Sequence, residues 1–263
     1  MSKPDERHIL ALSGGKDSAA LAVYMKQTRP ELPMEYVFTD SGCELPETYE
    51  YLERIKAVLG IEIVQLKSKR GFRHYLKLKR GYLPTPLNRW CTEYLKLIPY
   101  RRWLDENCGG TIMHSYVGIR ADEDREGFKS REGIVQHHPF VDDGIVLDDV
   151  KDILEDAGMG LPAYYSWRSR SGCFFCFYQT KREWLGLLEH HPDLYAEAEA
   201  MELASEAGSV FTWCDDISLA ELRERRHDVQ CPISQAETSH ERPRLGEILS
   251  NHFARDKYTR ILR

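Results

Sequence analysis

The sequence has no long apolar run. None of its stretches approaches the roughly 18 residues needed to cross a bilayer, so no membrane association is expected. It has no convincing repeat and no low-complexity segment. It also lacks the polar composition of a disordered or fibrous chain: of its 263 residues, 42% are hydrophobic and 30% charged, as in an ordinary globular enzyme. There is no surplus of positive charge. Lys and Arg number 36 against 42 Asp and Glu, a net −6 at pH 7. Such a chain is not a general electrostatic binder of nucleic acid, and any polyanion must meet a local basic patch or another protein. Met1 to His8 is polar and charged and does not read as a secretion signal, so the expected compartment is the cytoplasm. There the seven cysteines are not expected to pair, and close spacings point to metal or redox chemistry.

What is present is an alternation of strands and helices. His8 to Ser13 reads as a buried strand, followed by Gly14, Gly15 and a helix from Ser18 to Gln27. Met34 to Thr39 reads as a strand, Pro46 to Leu59 as a helix ended by Gly60, and Ile61 to Leu66 as a third strand. Residues 67–90 are basic, with Phe72, Tyr75 and Tyr82 interleaved. This segment reads either as a nucleic-acid surface or as a solvated face. A helix is expected over Glu93 to Asn107, a strand over Thr111 to Ile119, a polar loop over Gly127 to His138 and a helix over Asp148 to Ala157. From Lys181 the pattern is helical. Together these predict a doubly wound, Rossmann-like α/β fold with a parallel sheet, carried by residues 1–180, and a small α-helical region over 181–263.

The strongest chemical signal is Ser13, Gly14, Gly15, Lys16, Asp17 and Ser18, where a strand feeds a helix. Glycines let backbone amides close on an anion, the helix N-terminus adds positive partial charge, and Lys16 adds a full one. The spacing is not that of the nucleotide-triphosphatase P-loop.

Ser-Gly-Gly-Lys-Asp-Ser resembles the PP-loop of the adenine-nucleotide alpha-hydrolase superfamily. Phe38 to Thr48, Arg89 to Lys96 with Pro99 and Arg102, and Gly118 to Arg125 resemble, in order, successive segments of its PAPS reductase-like family. Pro139-Phe140 followed by Asp149-Val150 fits the segment after that. The resemblance covers roughly residues 8–180. It implies binding of ATP and cleavage between the α and β phosphates. Ser13 to Ser18, Thr39, Asp40, Ser41 and Gly118 would then hold the nucleotide. Asp40, at a strand's carboxyl end, is a candidate for Mg²⁺ or the adenosine. Asp17 is a candidate for the metal or for orienting Lys16, and Arg120 and Arg125 suit phosphate charge. Lys16, Asp17, Asp40, Arg120 and Arg125 are the candidate catalytic set.

The second signal is Cys173-Phe-Phe-Cys176, a spacing that lets two thiolates reach one metal centre. By resemblance Cys91 supplies a third ligand. Cys231, followed by Pro232, is the choice for the fourth, with Cys214 in reserve. A 4Fe–4S cluster suits this spread better than zinc, and plain buried thiols are the remaining alternative. Cys43 reads as a small buried thiol or a sulfur handler, and Cys108 as structural. The chain shows no Glu-Cys-Gly-x-His motif near residue 263, and it has Trp90-Cys91-Thr92 where cluster-bearing APS reductases show paired cysteines. Both departures speak against a sulfate-assimilation reductase. The combination is similar in logic to the ATP pyrophosphatases of DNA phosphorothioation, of the DndC and SspD type. That likeness implies nucleic acid, DNA in the first place, as acceptor, a cysteine desulfurase as sulfur donor, further modification-system subunits and a possible homodimer. The alternatives are a PAPS or APS reductase and a tRNA-thiolating PP-loop enzyme.

Overall fold

The computed structural model describes residues 6–124, 133–202 and 211–226. The chain opens with β1 (Glu6–Leu12), α1 (Lys16–Thr28), β2 (Met34–Asp40), α2 (Pro46–Leu59) and β3 (Ile63–Lys67). Alternate residues of β1 face opposite ways. Leu10 and Leu12 pack against α1, α2 and α7 (Leu147–Asp156). Ile9 packs with Leu104 and Met113 on the other face. A strand covered on both faces needs apolar residues at every position, which is why it reads as a continuous hydrophobic run. Gly60 ends α2 in the left-handed region, at φ 58, where a residue without Cβ is favoured.

After β3 come α3 (Phe72–Leu78) and α4 (Trp90–Thr92), a π-helical turn (Glu93–Leu97) and α5 (Ile98–Asn107). The expected helix over 93–107 therefore starts three residues earlier and carries a widened turn. Pro99 has no N–H to offer the carbonyl of Leu95. The Ile98 amide bonds Glu93 instead, one residue further back than in an α-helix. α5 covers the second face of the sheet. β4 (Ile112–Tyr116) follows, then β5 (Ile134–His137), α6 (Pro139–Asp142) and α7. β5 corrects the expected loop over 127–138: Val135, exposed at the sheet edge, belongs to a short strand with too few apolar residues to announce itself. The five strands form one parallel sheet in the order β3-β2-β1-β4-β5. The chain thus leaves β1 to one side and returns through β4 on the other, which opens a crevice at the carboxyl ends of these two strands.

The rest of the described chain is a 3₁₀ turn (Ala163–Ser166) with α8 (Lys181–His190), α9 (Pro192–Glu202) and α10 (Leu219–Glu224). Thr180 and Ser218 cap α8 and α10 with reciprocal bonds to Glu183 and Glu221. These helices share an aromatic-rich core with Phe72, Trp90, Phe174 and Phe175. Phe72 stacks between Trp90, at 4.9 Å, and Phe175, at 4.1 Å. Tyr75 stacks on Tyr94 and Tyr82 meets Phe211. The aromatics of the basic segment are therefore spent on packing, and its exposed members include Leu78, Leu87 and polar or charged residues.

Of the two adjacent histidine pairs, His137-His138 and His191 are half-buried and His190 is exposed. His137 bonds His114 at 2.8 Å and stacks on Tyr116. His8 stacks on His114 and bonds Tyr116 at 2.9 Å. His191 bonds Glu47 at 2.8 Å, and His190 stacks on Trp167.

Candidate functional site

The loop from Ser13 to Ser18 lies at the crevice and is built largely from its own atoms. Ser18 Oγ accepts the Ser13 amide at 3.0 Å and donates to the Gly15 carbonyl at 3.1 Å. Gly14 has φ +71, and a Cβ there would stand 2.4 Å from Thr48 Cγ2. α1 has no side-chain cap at Gly15, and the start of a helix favours an anion. Gly118, on the exit of β4, passes so close to this turn that a Cβ would lie 2.8 Å from the Asp17 carbonyl.

Asp17 stands between two cations. Its carboxylate accepts Lys16 Nζ at 3.0 Å and Arg120 Nη1 at 2.6 Å. Arg120 also reaches Asp122 and Glu123. Asp17 thus holds two positive groups side by side beside the loop, which suits the orienting role expected of it. Asp40 is 2% exposed and fully engaged. It accepts the Gly42 amide at 2.6 Å, Tyr49 at 2.8 Å and Gln65 at 3.0 Å, with Lys67 at 3.4 Å. In this state the carboxylate folds the chain after β2 rather than facing the cleft.

Over the carboxyl half of the sheet, between β1, β2 and α5, lies a cavity of about 920 Å³. Ala11, Ser13, Thr39, Leu97, Tyr100 and Lys96 are among its walls. Ala11 sits on the central strand yet is exposed, so the sheet is left open there. The space begins at the anion loop and is largely apolar.

A second cavity, of about 180 Å³, lies beside it and is lined by Cys91, Cys173 and Cys176 with Lys96, Arg89 and Arg170. Lys96, on the π-helical turn, borders both cavities. Its ammonium lies 3.3 Å from Glu44, which raises its pKa. The three predicted cysteines come together from distant segments. Glu44 and Cys173 form an isolated antiparallel bridge, and the Phe174 amide donates to the Cys43 carbonyl at 2.9 Å. The Cys-x-x-Cys turn is thus stapled to the loop after β2. Burial, then the nearby Glu44, push the Cys173 thiol well up, and burial raises Cys91. Among the described residues no group of three or more His, Cys, Asp or Glu side chains is arranged to hold a single metal ion.

Arg125 and Cys231 lie outside the described residues. Cys214 does not line the cysteine cavity; burial raises its thiol to about 11. Cys43 faces a separate cavity with Lys67, Arg70 and Arg73, and burial raises it to about 12. Cys108 is buried against Arg7, as a structural thiol would be.

Sequence reasoning missed the residues that join the two regions. Tyr164 donates to the Gly14 carbonyl at 2.7 Å, and the Lys16 amide donates to Tyr165 at 3.3 Å. Lys16 Nζ lies 5.1 Å from the Tyr165 ring centre, within cation–π range. Arg168 is 2% exposed and donates to the carbonyls of Gly172 and Cys173. No motif marks these positions. Their only signal is closeness in sequence to the cysteine pair.

The profile of the phosphoadenosine phosphosulfate reductase domain family matches residues 7–142. An uncharacterized protein of Methanocaldococcus jannaschii is 35% identical over 116 residues, 44% of this chain and 23% of that protein. An uncharacterized nin region protein of Escherichia phage lambda is 28% identical over 152 residues, 48% of this chain and 52% of that protein. The chain therefore spans from about a quarter to about half of these relatives. The crystal structure of a PAPS reductase from Candida auris, in a phosphate complex, superposes with a TM-score of 0.52 at 16% identity. That match covers 66% of this chain and 84% of the other, and it bears on fold alone.

Proposed function

The chain belongs to the phosphoadenosine phosphosulfate reductase domain family, and from that premise we propose that it is a Mg²⁺-dependent ATP pyrophosphatase. It would split ATP into AMP and pyrophosphate to activate a nucleic-acid backbone, DNA in the first place, for sulfur insertion. The observation that carries the reading is the shared wall: Lys96 borders both the cleft that starts at the anion loop and the cavity of the three cysteines. Nucleotide chemistry and sulfur chemistry would then meet at one acceptor.

In this reading the apolar cavity takes the adenosine. The amides at the start of α1, with Lys16 and Arg120, stabilise charge as it moves onto the departing pyrophosphate. Nucleotidyl transfer needs positioning and charge neutralisation more than covalent help. A non-bridging oxygen of the acceptor attacks the α phosphorus and pyrophosphate leaves. A sulfur nucleophile at the sulfide level then attacks the acceptor phosphorus, and AMP departs with the oxygen. Mg²⁺ commonly takes only one or two protein carboxylates beside phosphates. Asp17 is the carboxylate at the loop, while Asp40 would have to exchange its donors to bind metal.

The cysteine cavity suits a thiolate-bound group. Three thiols line it, and Lys96, Arg89 and Arg170 offset negative charge there. Cys91, Cys173 and Cys176 would hold a 4Fe–4S cluster, with Cys231 as the proposed fourth ligand. Such a cluster, when bound, supplies iron that can carry sulfide. A cysteine desulfurase would supply the sulfur, with other modification subunits and a second copy as further partners.

A second reading is a PAPS reductase, favoured by the family's own description. Anaerobic incubation with Mg²⁺, an oligonucleotide acceptor, sulfide and either ATP or PAPS separates the two. AMP and pyrophosphate from ATP, with PAPS intact, is the expected result. Sulfite from PAPS in the presence of a thiol donor, with ATP intact, would replace the proposal by the reductase.

A further inference from the structure

We propose that the rim of the cysteine cavity, formed by Arg89, Arg170 and Tyr178, binds one unpaired nucleotide of a phosphodiester chain. This rests on the reading above and names where and in what form the acceptor enters. All three residues line the cavity that holds the three thiols. Arg89 and Arg170 are exposed, and among the described residues neither guanidinium has a carboxylate partner. Lys96, in the wall of the same cavity, is by contrast paired with Glu44. On a chain of net charge −6, two unneutralised guanidiniums at one cavity mouth favour an anion.

Tyr178 adds the second element. It is 38% exposed and carries the Arg170 guanidinium 4.7 Å from its ring centre. Phe177 lies 4.5 Å from it and also lines the cavity. Planar groups at the mouth of a charged cavity suit stacking with a base, a contact that every base can make. The aromatics of residues 67–90 are less suited, because Phe72 is buried and Tyr75 and Tyr82 are half-buried against other rings. A base held in a duplex stack cannot reach such a rim, so the nucleotide enters unpaired or flipped. Its phosphate then faces Arg89 and Arg170, next to the thiols.

The test is binding of labelled 12-nucleotide single strands of DNA and of RNA, and of the matching DNA duplex, to the full chain across a salt series. ATP is left out. Single strands are expected to bind more tightly than duplex. Arg89→Ala and Arg170→Ala should each weaken binding and reduce the salt slope by about 0.7. Tyr178→Ala should weaken single-strand binding by roughly tenfold with the slope unchanged, and Tyr178→Phe should restore it. RNA bound more tightly than DNA, with the same dependence on these residues, would support the rim and move the acceptor to RNA. Equal binding of duplex and single strands, or a salt slope unmoved by either arginine, would overturn it. Loss of binding leaves the ATP reaction untested, and loss of pyrophosphate release leaves this surface standing, so the two failures are distinguishable.

Discussion

The anion loop and the cysteine cavity share one edge of the sheet, yet they are assembled in different ways. The loop is six consecutive residues, and its internal bonds join Ser13, Gly15 and Ser18. The cavity draws on the stretch after β2, the start of α4 with its π-helical turn, and residues 168–178. A local site depends on backbone conformation and clearance. A dispersed site depends on staples between segments, here the Glu44–Cys173 bridge and the two bonds of Arg168. The regions are also unequal partners. The segment leading to the cysteines supports the loop through Tyr164 and Tyr165, so damage to the dispersed site should reach the local one.

The contrast can be broken first at Lys16. Lys16→Ala should lower pyrophosphate release at least about 100-fold, roughly 3 kcal/mol, with the far-ultraviolet spectrum and iron content unchanged. Loss of iron as well would mean that the two regions are not separable in this direction. Arg168→Met comes next. It strips the carbonyls of Gly172 and Cys173 of their donor, at a cost of about 1–3 kcal/mol. Iron content should fall, and ATP affinity with it, read by metal analysis and calorimetry; normal iron content would show that the staple is dispensable. Gly118→Ala tests clearance. The added methyl meets the Asp17 carbonyl, and overpacking of this kind costs about 1–3 kcal/mol. Nucleotide affinity should drop while the cysteine cavity still takes up iron.

The smallest effect concerns pH and lies in neither region. Burial lowers the His8 and His137 pKa values, reinforced by His114 beside both. Glu6 opposes the shift at His8, as Asp142 does at His137. The folded chain therefore binds fewer protons than the unfolded chain just below the ordinary histidine value. This stability is complete above about pH 6.5 and is lost as the pH falls towards the lowered values. Each imidazole can contribute at most about 1.4 kcal/mol per pH unit. Urea midpoints should fall between pH 6.5 and 5, and His137→Gln should flatten the slope. An unchanged midpoint over that range would remove the histidine stack from the account.

Much of this was legible from the sequence, for local reasons. The strand-turn-helix around Ser13 to Ser18 is a contiguous pattern, and buried parallel strands write themselves as apolar runs. β5 was missed because an edge strand of four residues carries little periodic signal. The Cys173–Cys176 pair was read from its spacing and Cys91 from the family resemblance, and the fold brings the three to one cavity. Arg168, Tyr164 and Tyr165 were not found, because their roles arise from contacts across about 150 residues of chain in the case of the tyrosines. Asp40 was placed correctly at the end of β2, but the four donors around it come from side chains and backbone that only the folded loop assembles.

The central claim is that an acceptor oxygen, not water, attacks the α phosphate. The direct measurement uses the iron-loaded full chain under anaerobic conditions, with Mg²⁺, ATP, sulfide and an oligonucleotide bearing ¹⁸O in its non-bridging positions, and reads the mass of the AMP formed. The account predicts AMP carrying one acceptor ¹⁸O. AMP with solvent oxygen only, or ATP left intact, would contradict it.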